Sequence, residues 1–185
     1  MSPTISGFVF VGGQSTRFGS NKLFHPVNNI PMGLVVLNNL TGCVGNSCLV
    51  GPQVDHPDFV NVLRVRGDRE GNGPLGAMCD VLEKATTDFV VFAPCDTPFF
   101  MAVHFERLIK GQSGHDVVVA ADIEPPQLRH WLLSCWDVEA TRDHMIRAYS
   151  SGERAIHRAI TGLNVIEQHF SHQVLTNVNT PSDTQ

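Results

Sequence analysis

Gly12, Gly13, Arg17 and Lys22 are the first residues of this chain whose types and spacing could do chemistry. They fall in FVFVGGQSTRFGSNK (Phe8 to Lys22), where a short apolar run reads as a buried strand and breaks at a glycine pair into a polar loop. Glycine can take positive φ and lets a ligand approach the backbone closely. Arg17 offers a planar fork and Lys22 a point charge, both suited to phosphate oxygens. The chemistry this pattern indicates is phosphate binding beyond a strand end; the alternative is a surface turn with solvated charges. Two familiar phosphate loops are excluded by spacing. A P-loop needs lysine directly after its second glycine, whereas Gly19 is followed by Ser20, Asn21 and Lys22, and the Gly12–Lys22 loop has no GxGxxG dinucleotide spacing.

A carboxylate stands at a second position of interest. In FVVFAPCDTP, Asp96 follows an apolar run and lies between Pro94 and Pro98, which restrict the backbone on both sides. Such a carboxylate can hold a hard divalent cation, since Mg²⁺ takes only one or two protein carboxylates and completes its shell with water and phosphate oxygens. The other reading is a cap on a helix starting near Pro98. Gly67 to Gly76 carries four glycines before a helix, a loop able to press backbone against a flat ligand with Asp68 as an acceptor, or a plain surface connection. Asn177 to Asp183 reads as a strand end followed by a helix start, with Asn179 or Thr180 as the cap. The nine histidines form no spaced metal cluster, no GxSxG occurs, and Cys95 reads as a packing residue.

These residues must be positioned by the elements around them. Strand-like runs occur at Gly7–Val11, Ser47–Val50, Val60–Val65, Phe89–Ala93, Val117–Ala120, Trp131–Cys135 and Leu163–Ile166. Helix-period segments separate several of them, at Pro31–Leu40, Gly73–Ala85 and Met101–Lys110, with two more stripes at Val138–Tyr149 and Ile156–Ile160. Alternation of this kind predicts an α/β fold, a mostly parallel sheet with right-handed crossovers. Phe89–Ala93 is apolar throughout, as a central strand covered on both faces would be. Arg129–Trp136, after Pro125 and Pro126, fits a strand outside the regular alternation and possible as an antiparallel one. Open sheets of this class bind ligands beyond the carboxyl ends of their strands, which directs attention to Gly12–Lys22, Gly51–Pro52, Arg66–Gly76 and Pro94–Pro98.

The bulk numbers set limits. The 185 residues suit one domain, spanning 1–185, with 42% apolar and 17% charged residues. A net charge of −5 disfavours nucleic-acid and membrane-surface binding, which need a positive field. Five cysteines without a CxxC pair fit a reduced, cytoplasmic setting, and no apolar stretch approaches a membrane span or signal sequence.

Taken in order, four stretches resemble the molybdenum cofactor guanylyltransferases: VGGQSTRFG with the following lysine (to Lys22), GPLGAM (Gly73 to Met78), PCDTP (Pro94 to Pro98) and NVNTPSD (Asn177 to Asp183). The first is shared by many nucleotidyltransferases; the other three single out this family. The resemblance implies a single Rossmann-like nucleotidyltransferase domain. It implies GMP transfer from GTP to molybdenum-bound molybdopterin, giving the guanine dinucleotide cofactor and pyrophosphate, with Mg²⁺ as cofactor and a molybdoenzyme or its chaperone as receiver of the product. By position it implies Phe10, Val11, Gly12 and Gly13 as the GTP wall, Arg17 and Lys22 as triphosphate cations, and Asp96 as the Mg²⁺ ligand. Arg17, Lys22 and Asp96 would form the catalytic set. Asp68 would be the acidic GTP contact, Pro74 and Leu75 would border the nucleotide, Asn179 would face the pterin side or the metal, and Arg154 would approach the pterin phosphate. The chain departs from the family pattern at Phe10 and Val11 (usually Leu-Ala), Asn21 (usually Asp), Gly51 (a base-proximal Asn) and Trp131 (usually Pro). Those departures bear on base choice, and they leave open a transferase using CTP, one acting on a sugar or alcohol phosphate, or a non-catalytic cofactor-binding protein of the same fold.

Overall fold

The computed structural model describes residues 2–12, 22–69, 73–179 and 183. In chain order the elements are β1 (Ile5–Phe10), a hairpin of β2 (Pro26–Val27) and β3 (Ile30–Pro31), α1 (Met32–Val44), β4 (Ser47–Val50), β5 (Arg64–Val65), α2 (Gly73–Lys84) and β6 (Phe89–Pro94). There follow α3 (Ala102–Lys110), β7 (Val117–Asp122), β8 (Arg129–Asp137), α4 (Val138–Ser150), α5 (Ile156–Ala159), β9 (Val165–Phe170) and α6 (His172–Leu175).

Alternation along the strands decides the layering, because successive side chains leave a strand on opposite faces. Phe8, Val90, Phe92, Val117 and Trp136 pack on one face of the sheet with Leu75, Met78 and Leu82 of α2, Met145 of α4 and Ile156 of α5. Val9, Val91, Ala93, Val118, Ala120, Leu133 and Cys135 pack on the other with Val36, Leu37 and Leu40 of α1 and Phe105 and Leu108 of α3. Covered on both sides, β6 can be apolar at every position, and Val90, Val91 and Phe92 are wholly buried. Each such side chain contributes about 1.5–3 kcal/mol.

The seven-stranded sheet has the order β5-β4-β1-β6-β8-β7-β9. All neighbours are parallel except β8, which runs antiparallel to both β6 and β7. The strand expected outside the alternation is therefore antiparallel. Its buried polar groups are satisfied locally: the Trp136 indole N–H donates to Ser134 Oγ at 2.7 Å, and that hydroxyl donates to the Trp131 carbonyl at 2.8 Å. From β1 the chain moves through α1 to β4 on one side, and from β6 it moves through α3 to β7 beyond β8. Connections diverge between β1 and β6, so a crevice opens at their carboxyl ends.

Four local expectations need correction. The run Val60–Val65 yields only the short edge strand β5, preceded by a 3₁₀ turn at Pro57–Phe59, and Val60 and Leu63 stand in solvent. On the other edge, β9 begins later than Leu163 and continues to Phe170 through Glu167, Gln168 and His169, polar residues tolerated where one side is open. The helix after Asp96 begins at Ala102 with Met101 as its cap, so Asp96 does not cap it. Residues 176–179 carry no strand; α6 precedes them instead.

Candidate functional site

Phe10 and Pro94 are register partners across β1 and β6. The Cys95 N–H donates to the Phe10 carbonyl at 3.2 Å, extending the ladder past the strand end. This sets Asp96 directly at the crevice. Its carboxylate forms a close ion pair with Lys22 Nζ, the aspartate side chain 12% exposed and the lysine 21%. The Asp96 carbonyl accepts the Val178 N–H at 2.8 Å. Three stretches far apart in the chain thus meet at one point: the end of the first loop, the turn after the central strand, and the segment after α6.

Asp96 is held by its turn. Thr97 Oγ1 donates to the Pro94 carbonyl at 3.2 Å and the Phe100 N–H to the Thr97 carbonyl at 3.1 Å. The neighbouring Cys95 is buried; burial, with the Asp96 charge beside it, pushes its thiol up to about 12. It has no thiolate to offer at neutral pH, as its reading as a packing residue requires.

Beside the ion pair lies a cleft of about 350 Å³, within the range of small-molecule sites. Phe10, Val11, Gly12, Gly51 and Pro52 form one wall, Gly67, Gly73, Pro74, Ala77 and Asp80 another, and Val50 and Leu132 also contribute. Gly51 is the glycine this cleft demands. It sits at φ +131°, and a Cβ there would come 2.1 Å from the Val11 carbonyl oxygen. Arg64 Nη1 donates to the Gly51 carbonyl at 2.9 Å, and the Val11 N–H to the Val50 carbonyl at 2.8 Å, so both backbones are pinned. Gly12 does not use a positive φ, and a Cβ there would make ordinary contact with Pro52 at 3.6 Å.

Of the residues expected at a nucleotide, Phe10, Val11, Gly12 and Pro74 line the cleft, and Lys22 and Asp96 pair beside it. Gly13 and Arg17 lie outside the described residues. Leu75 is fully buried in the helical core, since the turn of α2 that exposes Pro74 points its neighbour inward. Asp68 is exposed and is not part of the cleft wall. The carboxylate that lines the cleft is Asp80, which sequence reasoning missed. Gly73, Ala77 and Asp80 are spaced i, i+4, i+7 on α2, a signal available before folding but hidden by the stronger apolar stripe on the opposite face.

Asn179 follows the Val178 contact to Asp96; its N–H donates to Asp183 Oδ2 at 2.8 Å and its amide to the Asn177 carbonyl at 3.4 Å. Arg154 stacks on the Tyr149 ring at 4.1 Å and donates to the Tyr149 carbonyl at 2.9 Å. The histidines expected to be ordinary include a cluster: His130 Nε2 lies 3.1 Å from Asp122 Oδ2 and His172 Nδ1 3.0 Å from Asp122 Oδ1, with the carboxylate 4% exposed. Burial raises the Asp122 carboxyl, but the two histidine contacts outweigh it and hold the group below the ordinary aspartate value. Among the described residues no three His, Cys, Asp or Glu side chains are arranged to hold a metal.

Comparison with known proteins gives a consistent outcome. A family model described as MobA-like NTP transferase domain matches residues 7–168. A molybdenum cofactor guanylyltransferase of Yersinia pseudotuberculosis is 28% identical, over 99% of this chain and 94% of its own length. Among solved structures, molybdopterin-guanine dinucleotide biosynthesis protein A from Archaeoglobus fulgidus superposes with a TM-score of 0.74 at 20% identity, covering 97% of this chain and 94% of that one. The 2-C-methyl-D-erythritol 4-phosphate cytidylyltransferase of Thermus thermophilus gives 0.74 at 12% identity, covering 96% and 94%. At these identities the two structures speak for the fold alone.

Proposed function

The chain belongs to the MobA-like NTP transferase domain family, and on that footing we propose that it transfers GMP from GTP to molybdenum-bound molybdopterin, releasing pyrophosphate. The reading rests above all on the meeting of Lys22, Asp96 and the Asn177–Asn179 segment at the crevice between β1 and β6. That arrangement joins the motifs that carry the resemblance, and the relative in Yersinia with that activity in its name aligns along nearly the whole chain.

In this reading the cleft receives the nucleoside, and its triphosphate reaches toward Lys22. The terminal phosphate oxygen of molybdopterin attacks the α-phosphorus, a new P–O bond forms, and the bond to the β-phosphate oxygen breaks as pyrophosphate leaves. Such a displacement asks the protein mainly for positioning and charge neutralisation. Lys22 neutralises phosphate oxygens, and so would Arg17. Asn179, which follows the Val178 contact to the Asp96 carbonyl, and Arg154 belong to the acceptor side.

Asp96 fits a Mg²⁺ ion. It offers a single hard, largely buried carboxylate at a strand end, and Mg²⁺ needs few protein ligands when phosphate and water supply the rest. When bound, the ion would draw negative charge from the phosphate oxygens. Five unpaired cysteines agree with a reducing, cytoplasmic place of work for the enzyme. No helix among the described residues is long and apolar enough to cross a membrane.

Pyrophosphate release, measured with GTP and with CTP in the presence and absence of molybdopterin, tests the proposal. Release is expected with GTP only when molybdopterin is present, to stop on chelation of Mg²⁺, and to be lost in Asp96→Ala with the far-UV spectrum unchanged. Release preferring CTP, or none with any nucleotide, would refute it.

A further inference from the structure

Asp80 supplies the one ionisable side chain among the described residues that line the cleft; the remaining lining comes from Phe, Val, Gly, Pro, Ala and Leu. A mostly apolar site with a single placed polar group uses that group to orient and select its ligand. The Asp80 carboxylate is 3% exposed and is held from behind. Oδ1 accepts Arg69 Nη1 at 2.7 Å and Oδ2 accepts the Arg69 N–H at 3.0 Å. Arg69 is in turn fixed by Glu83 Oε2 at 2.7 Å. Gly67 lies so close that a Cβ there would be 1.8 Å from Oδ2. An ionised carboxylate has about four lone-pair sites. Two are taken by Arg69, which leaves acceptor capacity on a residue that lines the cleft.

We propose that Asp80 reads the base of the nucleotide, accepting hydrogen bonds from the adjacent N1–H and 2-amino groups of guanine. This deepens the functional reading above and rests on it. The argument is one of donor and acceptor pattern. An acceptor-only group is fully matched by two neighbouring donors, which guanine presents on that edge. Cytosine and adenine each put a ring-nitrogen acceptor next to their amino group, and that acceptor would face the carboxylate unpaired. Gly51 across the cleft has no side chain to contribute, so among the described lining side chains discrimination falls to Asp80.

The test is calorimetric binding of GTP, ITP, XTP and CTP to the whole chain and to Asp80→Asn. ITP lacks the 2-amino group, and the unaltered protein is expected to bind it about 10- to 150-fold more weakly than GTP, the worth of one hydrogen bond to a charged group. Asp80→Asn keeps one oxygen for Arg69, gives up the other Arg69 contact, and puts an N–H donor where the base meets an acceptor in the unaltered protein. It should lose the GTP-over-ITP preference and bind XTP, with its 2-oxo group, more tightly than the unaltered protein does. A gain for XTP cannot come from misfolding. If the variant keeps the GTP-to-ITP ratio, or weakens all nucleotides equally, Asp80 only positions the Arg66–Arg69 loop and the inference falls while the functional reading stands. If the unaltered protein prefers CTP to GTP, both fall together.

Discussion

Replacing Gly51 with alanine places a methyl carbon 2.1 Å from the Val11 carbonyl oxygen, at a φ of +131° that L-residues rarely adopt. Ordinary contact begins near 3.4 Å, so backbone must yield by about 1.3 Å. Neither side moves freely: the Gly51 carbonyl takes Arg64 Nη1, and Val11 is bonded to Val50. Overpacking of this kind costs about 1–3 kcal/mol, and the unfavourable φ about 1–3 kcal/mol more. The sum, about 2–6 kcal/mol, should lower Tm by about 4–24 °C at 2–4 °C per kcal/mol for a chain of this size. Gly45→Ala is the control. It also has positive φ, +78°, but nothing lies within 4 Å of its Cβ, so only backbone strain of about 1–3 kcal/mol applies. Thermal melts of the two variants beside the unaltered chain, followed by GTP titration, separate the two terms. Gly51→Ala should melt well below Gly45→Ala and bind nucleotide more weakly, because Val11 and Gly51 both line the cleft. Equal melting temperatures would refute the close approach as the reason glycine stands there. The same geometry rejects asparagine at this position.

Two further outcomes follow from the site. Lys22→Ala should weaken GTP binding about 10- to 150-fold, the loss of one charge-assisted contact, measured by calorimetry; an unchanged affinity would remove Lys22 from the phosphate site. Asp122, with its carboxyl held below the ordinary aspartate value, adds stability that is complete above that ordinary value and is lost as pH falls through the lowered folded one. Below about pH 4 this contributes up to about 1.4 kcal/mol per pH unit to the acid limb of unfolding, and Asp122→Asn should flatten that limb. An identical acid limb in the variant would contradict it.

The motifs were legible before folding because each is local. A glycine pair after an apolar run, a carboxylate between two prolines, and a lysine closing a loop are visible as neighbours in sequence. So was β6, whose uninterrupted apolar run is what a strand covered on both faces would show. The edges were harder. β5 and β9 are paired on one side only, so their burial patterns are mixed and their ends could not be read from hydrophobicity. Asp68 drew attention because it stands in a glycine-rich loop, and Asp80 did not because it stands within a helix; the loop carboxylate is exposed and the helical one faces the cleft.

Local pattern in the chain was enough for the alternation of strands and helices and for the central strand, since these depend on periodicity, while the motif residues were marked by their resemblance to a family. The folded chain was needed to place β8 antiparallel between β6 and β7, to bring Lys22, Asp96 and Val178 together, to require glycine at position 51 against the Val11 carbonyl, and to set Asp80 in the cleft wall. Each of these joins residues distant in the chain, and long-range pairing is set by how the two faces of the sheet fill and where the crossovers diverge, which no local pattern encodes.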